Sequence, residues 1–211
     1  MIAYHGVDTE TNAPSVENRK KLRDDLKIPE SDIVIISTSM LFPLKRLDRL
    51  VEAFAIMAQE MNNLQLLLLG AGTEYEQLLR KVNNLDPSIS KRIKFLGFQS
   101  NVPAYLQLSD IFVLSSDSEG LPLGCLEAMS CGLLSIVTDC GGPREIIRDG
   151  WNGFLVDMNS QEILKAFKKI INLSNEERIQ ISRHAREKKK KKFNLQKNIH
   201  TGLSLLELTS A

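Results

Sequence analysis

Ile111-Phe112-Val113-Leu114 runs directly into Ser115-Ser116-Asp117-Ser118-Glu119-Gly120-Leu121-Pro122-Leu123-Gly124-Cys125-Leu126-Glu127-Ala128-Met129, and this junction decides the fold. An unbroken apolar run is the mark of a strand buried on both faces. The polar stretch after it ends in a helix expected to open at about Pro122, because proline suits the first helical position, where an N–H would be unsatisfied anyway. Glu119 stands just before that opening and Glu127 inside the helix. Gly124 sits in the first turns, where it costs roughly 1 kcal/mol relative to alanine. Close approach of a ligand or of another backbone is the usual compensation.

The same strand–loop–helix pattern repeats outward in both directions. Apolar runs at 33–36, 66–69, 93–96, 134–137 and 154–156 join the one at 111–114 as expected strands. Between them fall expected helices over 16–27, over a segment with Leu47, Leu50, Val51, Phe54 and Met57 at helical spacing, around Leu78, Leu79 and Val82, over 102–108, through Cys131, and over 144–148. Asn159 with Glu162, and Ser174 with Glu177, read as capping boxes of two closing helices, and a last amphipathic segment covers 195–208. Buried strands alternating with helices predict an α/β fold, a doubly wound, mostly parallel six-stranded Rossmann-like sheet with helices on both faces. Ligands bind such sheets outside the carboxyl ends of the strands, where the strand order reverses. With the order 3-2-1-4-5-6 the crevice lies between the first and fourth strands, bounded by the loops 38–45 and 115–121.

The chemistry of that crevice follows from its residue types. A helix start presents free N–H groups and the positive end of the macrodipole, which suit a phosphate. Gly120 and Leu121 can donate there, and Lys45 on the facing loop adds a point charge, with its neighbour Arg46 a further candidate. Glu127 shares one helix face with Leu123 and Gly124. A carboxylate accepts hydrogen bonds only, so beside a phosphate it needs hydroxyls to face. Two carboxylates flanking a phosphate nest therefore imply polyols on both sides of the phosphates, which is a sugar nucleotide.

Composition narrows the function class. The chain has 211 residues, 43% hydrophobic and 25% charged, with a formal net charge of +1. That is globular composition with no general attraction to nucleic acid or acidic membranes. Cys125, Cys131 and Cys140 lack metal-like spacing and read as small buried hydrophobes of a reduced compartment. No stretch reaches the roughly 20 apolar residues of a membrane span. Gly70-Ala71-Gly72 opens like a dinucleotide fingerprint, but Tyr75 occupies the third glycine's place, which argues against NAD. His184 and His200 read as surface residues, and the lysines at 188–192 as a solvated helix end, with acidic lipid head groups as the alternative.

Glu119 to Glu127, set in Ser-x-x-Glu-Gly-Leu-Pro-Leu and Glu-Ala-Met, resembles the E-x7-E motif of the retaining glycosyltransferases of family 4, specifically the C-terminal, donor-binding domain of their GT-B fold. Leu69-Gly70-Ala71-Gly72, Phe95-Leu96-Gly97-Phe98, Gly141-Gly142-Pro143-Arg144-Glu145 and Gly150-Trp151-Asn152-Gly153 match in order. The resemblance implies a metal-independent transferase without cofactor, moving sugar from a UDP- or GDP-sugar. Glu119 would lie by the transferred sugar as the catalytic residue, and Glu127 on the ribose. Lys45, Arg46, Gly120, Leu121 and Leu123 would surround the donor, and Phe98 and Gln99 the base. Two positions depart from the pattern: Ser39 and Met40 replace the usual Gly-Arg, and His5 the usual asparagine.

The expected layout is an interdomain junction at 1–15, a nucleotide-sugar domain at 16–190, and a C-terminal helix at 191–211 packing back toward an N-terminal acceptor domain. That domain, or a separate subunit, would be the partner, and the chain alone is expected to transfer no sugar. Cytoplasmic location follows, with peripheral membrane contact where the acceptor is lipid-linked. The alternative is a non-catalytic nucleotide-sugar-binding or assembly module.

Overall fold

A computed structural model describes residues 6–192, and of residues 188–192 the helical backbone only. The sheet strands are β1 (Ile33–Thr38), β2 (Leu64–Leu69), β3 (Ile93–Gly97), β4 (Ile111–Leu114), β5 (Leu134–Thr138) and β6 (Phe154–Val156). They form one sheet in the order β3-β2-β1-β4-β5-β6, and every pairing is parallel. The helices are α1 (Val16–Asp25), α2 (Leu47–Glu60), α3 (Tyr75–Asn83), α4 (Pro87–Ser90), α5 (Val102–Leu108), α6 (Leu123–Cys131), α7 (Pro143–Ile146), α8 (Ser160–Ile171) and α9 (Asn175–Lys192). The expected fold class and strand order hold.

The apolar runs are continuous because both faces of the sheet are covered. Ile35, Ile111, Val113, Leu66, Leu68 and Ile136 point into one core with α2 and α8. Their neighbours Val34, Ile36, Phe112, Leu114, Leu67 and Val137 enter a second core with α6 and the buried Ala185 of α9. Each strand therefore alternates between two cores rather than between core and water.

Several boundaries differ from the sequence reading for physical reasons. Pro122 is extended (φ −74°, ψ 95°) and caps α6, so the helix begins one residue later. The first helix ends at Asp25, and α4 was not foreseen, since four residues carry no periodicity. Ser174 and Glu177 make a full capping box, with Ser174 N–H donating to Glu177 Oε2 (2.8 Å) and Glu177 N–H to Ser174 Oγ (3.2 Å). Asn159 makes only half of one: its Oδ1 accepts from Glu162 N–H, while the Glu162 carboxylate goes to Lys165. Val7 is buried in the second core and Gln107 Nε2 donates to Ala13 O (2.7 Å), so the described part of 1–15 packs on α5. The segments 193–211 and 195–208, with His200, lie outside the described residues.

One polar cluster pins α1 under the sheet. Arg23 is 1% exposed, and its guanidinium donates to the carbonyls of Leu108, Pro29 and Asp32 at 3.0 Å each. Its counter-ion is Asp110, at 2.8 Å, just before β4. Asp110 also accepts from Val34 N–H (2.8 Å) and from Arg19 (3.0 Å). Removing one partner of a buried pair strands the other charge. Asp110→Ala should destabilise the fold by about 3 kcal/mol in denaturant titration. Glu30→Ala, on the exposed side of the same cluster, should cost about 0–1 kcal/mol.

Candidate functional site

The loops leaving β1, β2, β4 and β5 are sewn together at the carboxyl end of the sheet. Gly70 and Gly72 bring the β2 loop against the β1 loop: Ser39 N–H donates to Leu69 O (3.1 Å) and Leu41 N–H to Ala71 O (3.0 Å). A Cβ at Gly72 would sit 2.4 Å from Leu41 O, and one at Gly70 2.0 Å from Ser39 O. Those glycines thus serve a backbone contact rather than a dinucleotide. The β1 loop then makes a 3-10 turn, Pro43–Lys45, and Arg46 follows in the left-handed region (φ 47°, ψ 44°) before α2.

The β4 loop is tied to this turn by backbone and side chain alike. Asp117 N–H donates to Leu44 O (2.9 Å), and Ser115 Oγ to Lys45 O (2.9 Å). Arg49 pairs with Asp117 Oδ1 at 2.6 Å and donates to Ser115 O at 3.3 Å. Arg46 reaches Asp117 Oδ2 at 3.3 Å while gripping both oxygens of Asp48 at 3.0 Å. Partial burial raises the Asp117 carboxyl, but the hydrogen bonds from Arg49 and Arg46 outweigh it and hold the group below the usual carboxylate range. The ion pair with Asp48, countered in part by burial and helped by Asp117, raises the Arg46 guanidinium above its ordinary value.

From the other side the β5 loop closes in. Glu119 and Gly141 form a parallel bridge, Gly142 N–H donates to Glu119 O (2.9 Å), and Thr138 Oγ1 to Ser116 O (2.7 Å). A Cβ on Gly142 would fall 1.2 Å from Gly120 O, so no side chain fits there.

This frame brings Lys45 and Glu119 together at 2.7 Å, with Ser116 Oγ donating to the same Glu119 Oε1 at 2.6 Å. The N–H groups of Gly120, Leu121, Leu123 and Gly124 donate to no described residue, which leaves the start of α6 open to an anion. Glu127, half-buried, stands one turn along the helix. Gly124 makes room for β1: a Cβ there would lie 2.8 Å from Thr38 Oγ1. The hydroxyls of Thr38 and of Ser39 after it are buried without a hydrogen-bond partner among the described residues; the sequence reading missed Thr38 and named Ser39 only as a departure from the family pattern. Asp117 and Arg49 were missed as well.

Phe98 and Gln99 stand apart, at the end of the outer strand β3. Phe98 is 81% exposed, and Gln99 is anchored by donating to Leu96 O (2.6 Å) and accepting from Tyr105 OH (3.0 Å). Cys125 and Cys131 are buried and Cys140 half-buried, and burial pushes the Cys125 thiol up to about 12, so it is no nucleophile. His184 is not a solvated surface residue: it stacks on Trp151 with ring centres 4.3 Å apart. A cavity of about 680 Å³ opens elsewhere, at the amino ends of β4 and β5 between Asp110, Leu134, Ser182 and Arg186, and shares no residue with the crevice.

Over residues 18–188 the chain matches the family described as Glycosyl transferases group 1. The chain belongs to the group 1 glycosyltransferases. Among relatives of this family is the N-acetyl-alpha-D-glucosaminyl L-malate synthase of Bacillus anthracis, 38% identical over 65% of this chain and 35% of its own length. A second is the UDP-Gal:alpha-D-GlcNAc-diphosphoundecaprenol alpha-1,3-galactosyltransferase of Escherichia coli, 29% identical over 94% of this chain and 51% of its own. The chain thus spans about a third to a half of these group 1 enzymes. The C-terminal domain of the group 1 protein LpcC from Francisella tularensis superposes with a TM-score of 0.79 at 29% identity, covering 90% of this chain and 100% of that one. HepE of Anabaena in complex with UDP superposes with a TM-score of 0.89 at 25% identity, over 98% of this chain and 57% of its own. The described fold is the C-terminal half of GT-B.

The Asp117 tie has a measurable consequence. Arg49→Ala should speed amide hydrogen exchange at Asp117 and its neighbours about tenfold, at a global cost on the order of 1 kcal/mol. Because the folded-state Asp117 value lies below the unfolded one, the tie is at full strength at neutral pH. It should be lost only as pH falls through that depressed value, so on acidification the wild-type loop should show the same loss of protection relative to the intrinsic exchange rate at each pH.

Proposed function

We propose that the crevice binds the nucleotide-sugar donor of a retaining, metal-independent glycosyl transfer. Lys45 and the open N–H groups of Gly120 and Leu121 hold the diphosphate, with Leu123 and Gly124 completing the helix start. Glu127 accepts from the ribose hydroxyls, Glu119 faces the transferred sugar, and Phe98 and Gln99 border the base. Arg46 serves at one remove, since its guanidinium is committed to Asp48 and Asp117. As the glycosidic bond to the diphosphate breaks, charge develops on the leaving oxygens, and donors already fixed in place stabilise it without reorganising. The observation that carries this reading is the set of unused N–H groups at the start of α6, directly after the Glu119 that Lys45 pairs with and one turn before Glu127. HepE, solved with UDP and with UDP-glucose, supports a uridine nucleotide as the first to try.

Calorimetric titration of the 211-residue chain with UDP, GDP, UDP-glucose and GDP-mannose tests it. Binding of at least one of them below millimolar concentration is the expected result, and binding of none would sink the assignment. Glu127→Ala should then weaken that nucleotide about tenfold to a hundredfold, the loss of one charged hydrogen bond. Unchanged affinity would mean that the ribose lies elsewhere.

A further inference from the structure

We infer that the Lys45–Glu119 ion pair makes the crevice discriminate between a sugar-loaded nucleotide and the bare nucleotide diphosphate. The inference rests on the donor reading above and adds to it a reason why the spent nucleotide leaves.

The pair is the resting arrangement of both side chains. Lys45 Nζ lies 2.7 Å from Glu119 Oε1, and no other carboxylate among the described residues pairs with this lysine. The two side chains are 24% and 12% exposed, so the contact is shielded from solvent more than an ordinary surface pair. Ser116 Oγ donates to the same Oε1 at 2.6 Å, which fixes the carboxylate in place. The backbone on either side is fixed too: Lys45 O accepts from Ser115 Oγ, and the Glu119 peptide is clamped by Cys140 O and Gly142 N–H. Neither residue can move away from the other by shifting its loop.

A diphosphate seated on the start of α6 competes for Lys45. If the nucleotide is bare, Glu119 loses its counter-ion and retains only the Ser116 hydroxyl in a shielded place. A half-buried carboxylate left in this way is costly. If a sugar is attached, its hydroxyls donate to Glu119 and replace what Lys45 gave up. The pair therefore penalises the bare diphosphate and spares the loaded one. Once the sugar has gone to an acceptor, Lys45 and Glu119 recombine as the nucleotide departs. Specificity of this kind comes from a penalty against the wrong ligand as much as from contacts to the right one.

The test is a double-mutant cycle on the 211-residue chain, titrated calorimetrically with UDP and UDP-glucose, or with GDP and GDP-mannose where the titration above selects guanine. Wild type should bind the sugar nucleotide more tightly than the bare diphosphate. Glu119→Gln should bind UDP about tenfold more tightly than wild type and lose that preference. In a Lys45→Met background the same Glu119→Gln change should alter UDP affinity by less than threefold, because there is no pair left to break. An equal gain in both backgrounds would assign the effect to direct repulsion between Glu119 and phosphate and overturn the inference. So would an unchanged or weaker UDP affinity in Glu119→Gln while Glu127→Ala still weakens the nucleotide; the donor reading would then stand alone. Absence of binding by wild type would remove both. Should circular dichroism show Glu119→Gln misfolded, Glu119→Asp, which draws the carboxylate back from Lys45, should raise UDP affinity in the same direction by a smaller factor.

Discussion

Asp117 is the point on which the crevice turns. Its backbone N–H is spent on Leu44 O and its carboxylate on Arg49 and Arg46, so the loop after β4 is held to the loop after β1 by both its main chain and its side chain. In an open parallel sheet these two loops diverge, since the chain turns to opposite faces at this point. A crevice between diverging loops has no fixed width unless something spans it. Here the span is built from charge-assisted hydrogen bonds at the rim, and the distance between Lys45 and Glu119 is a consequence of it. The anion site proposed above would work by presenting donors already in place, and the sewing supplies that rigidity.

Glycine does the complementary work from beneath. Gly70, Gly72, Gly124 and Gly142 each lie where a Cβ would collide with protein, at Ser39 O, Leu41 O, Thr38 Oγ1 and Gly120 O respectively. Each of these collisions is with the protein's own atoms. A glycine-rich signature around a nucleotide site is usually explained by the approach of phosphate to backbone. In this chain four of them explain the approach of loop to loop, while the N–H groups of Gly120, Leu121, Leu123 and Gly124 donate to no described residue. The cost of Gly124 in a helix is offset by the packing of α6 directly onto the end of β1.

How much of this was legible beforehand follows from which interactions are local. Strands buried on both faces announce themselves as unbroken apolar runs, so β1, β4 and their order were readable, and with them the position of the crevice. That Lys45 and Glu119 stand on facing loops, with Glu127 on the helix that follows, was readable because each loop could be placed from the strand it leaves. Asp117 was not: between Ser116 and Ser118 it looks like any solvated loop acid, and its partners lie on a different element. Arg23 on α1 reads as a polar helix residue until Asp110 and the carbonyls of Leu108, Pro29, Glu30 and Asp32 close around it. Pro122 was misplaced by one position because a φ of −74° suits the cap as well as the first turn, and its extended ψ of 95° makes it the cap.

The Lys45–Glu119 pair shows why residue type alone could not give the state of the site. Read separately, the lysine calls for a phosphate and the glutamate for hydroxyls, and each looks vacant without them. Placed 2.7 Å apart they satisfy each other, so neither of these two charges is uncompensated at rest. A preformed site with a bare lysine at the mouth of a helix dipole would be destabilised by the same field that serves the ligand. Pairing removes that strain from the folded state and moves it to the moment of binding. On the inference drawn above, a ligand that takes Lys45 must then also supply a new partner for Glu119.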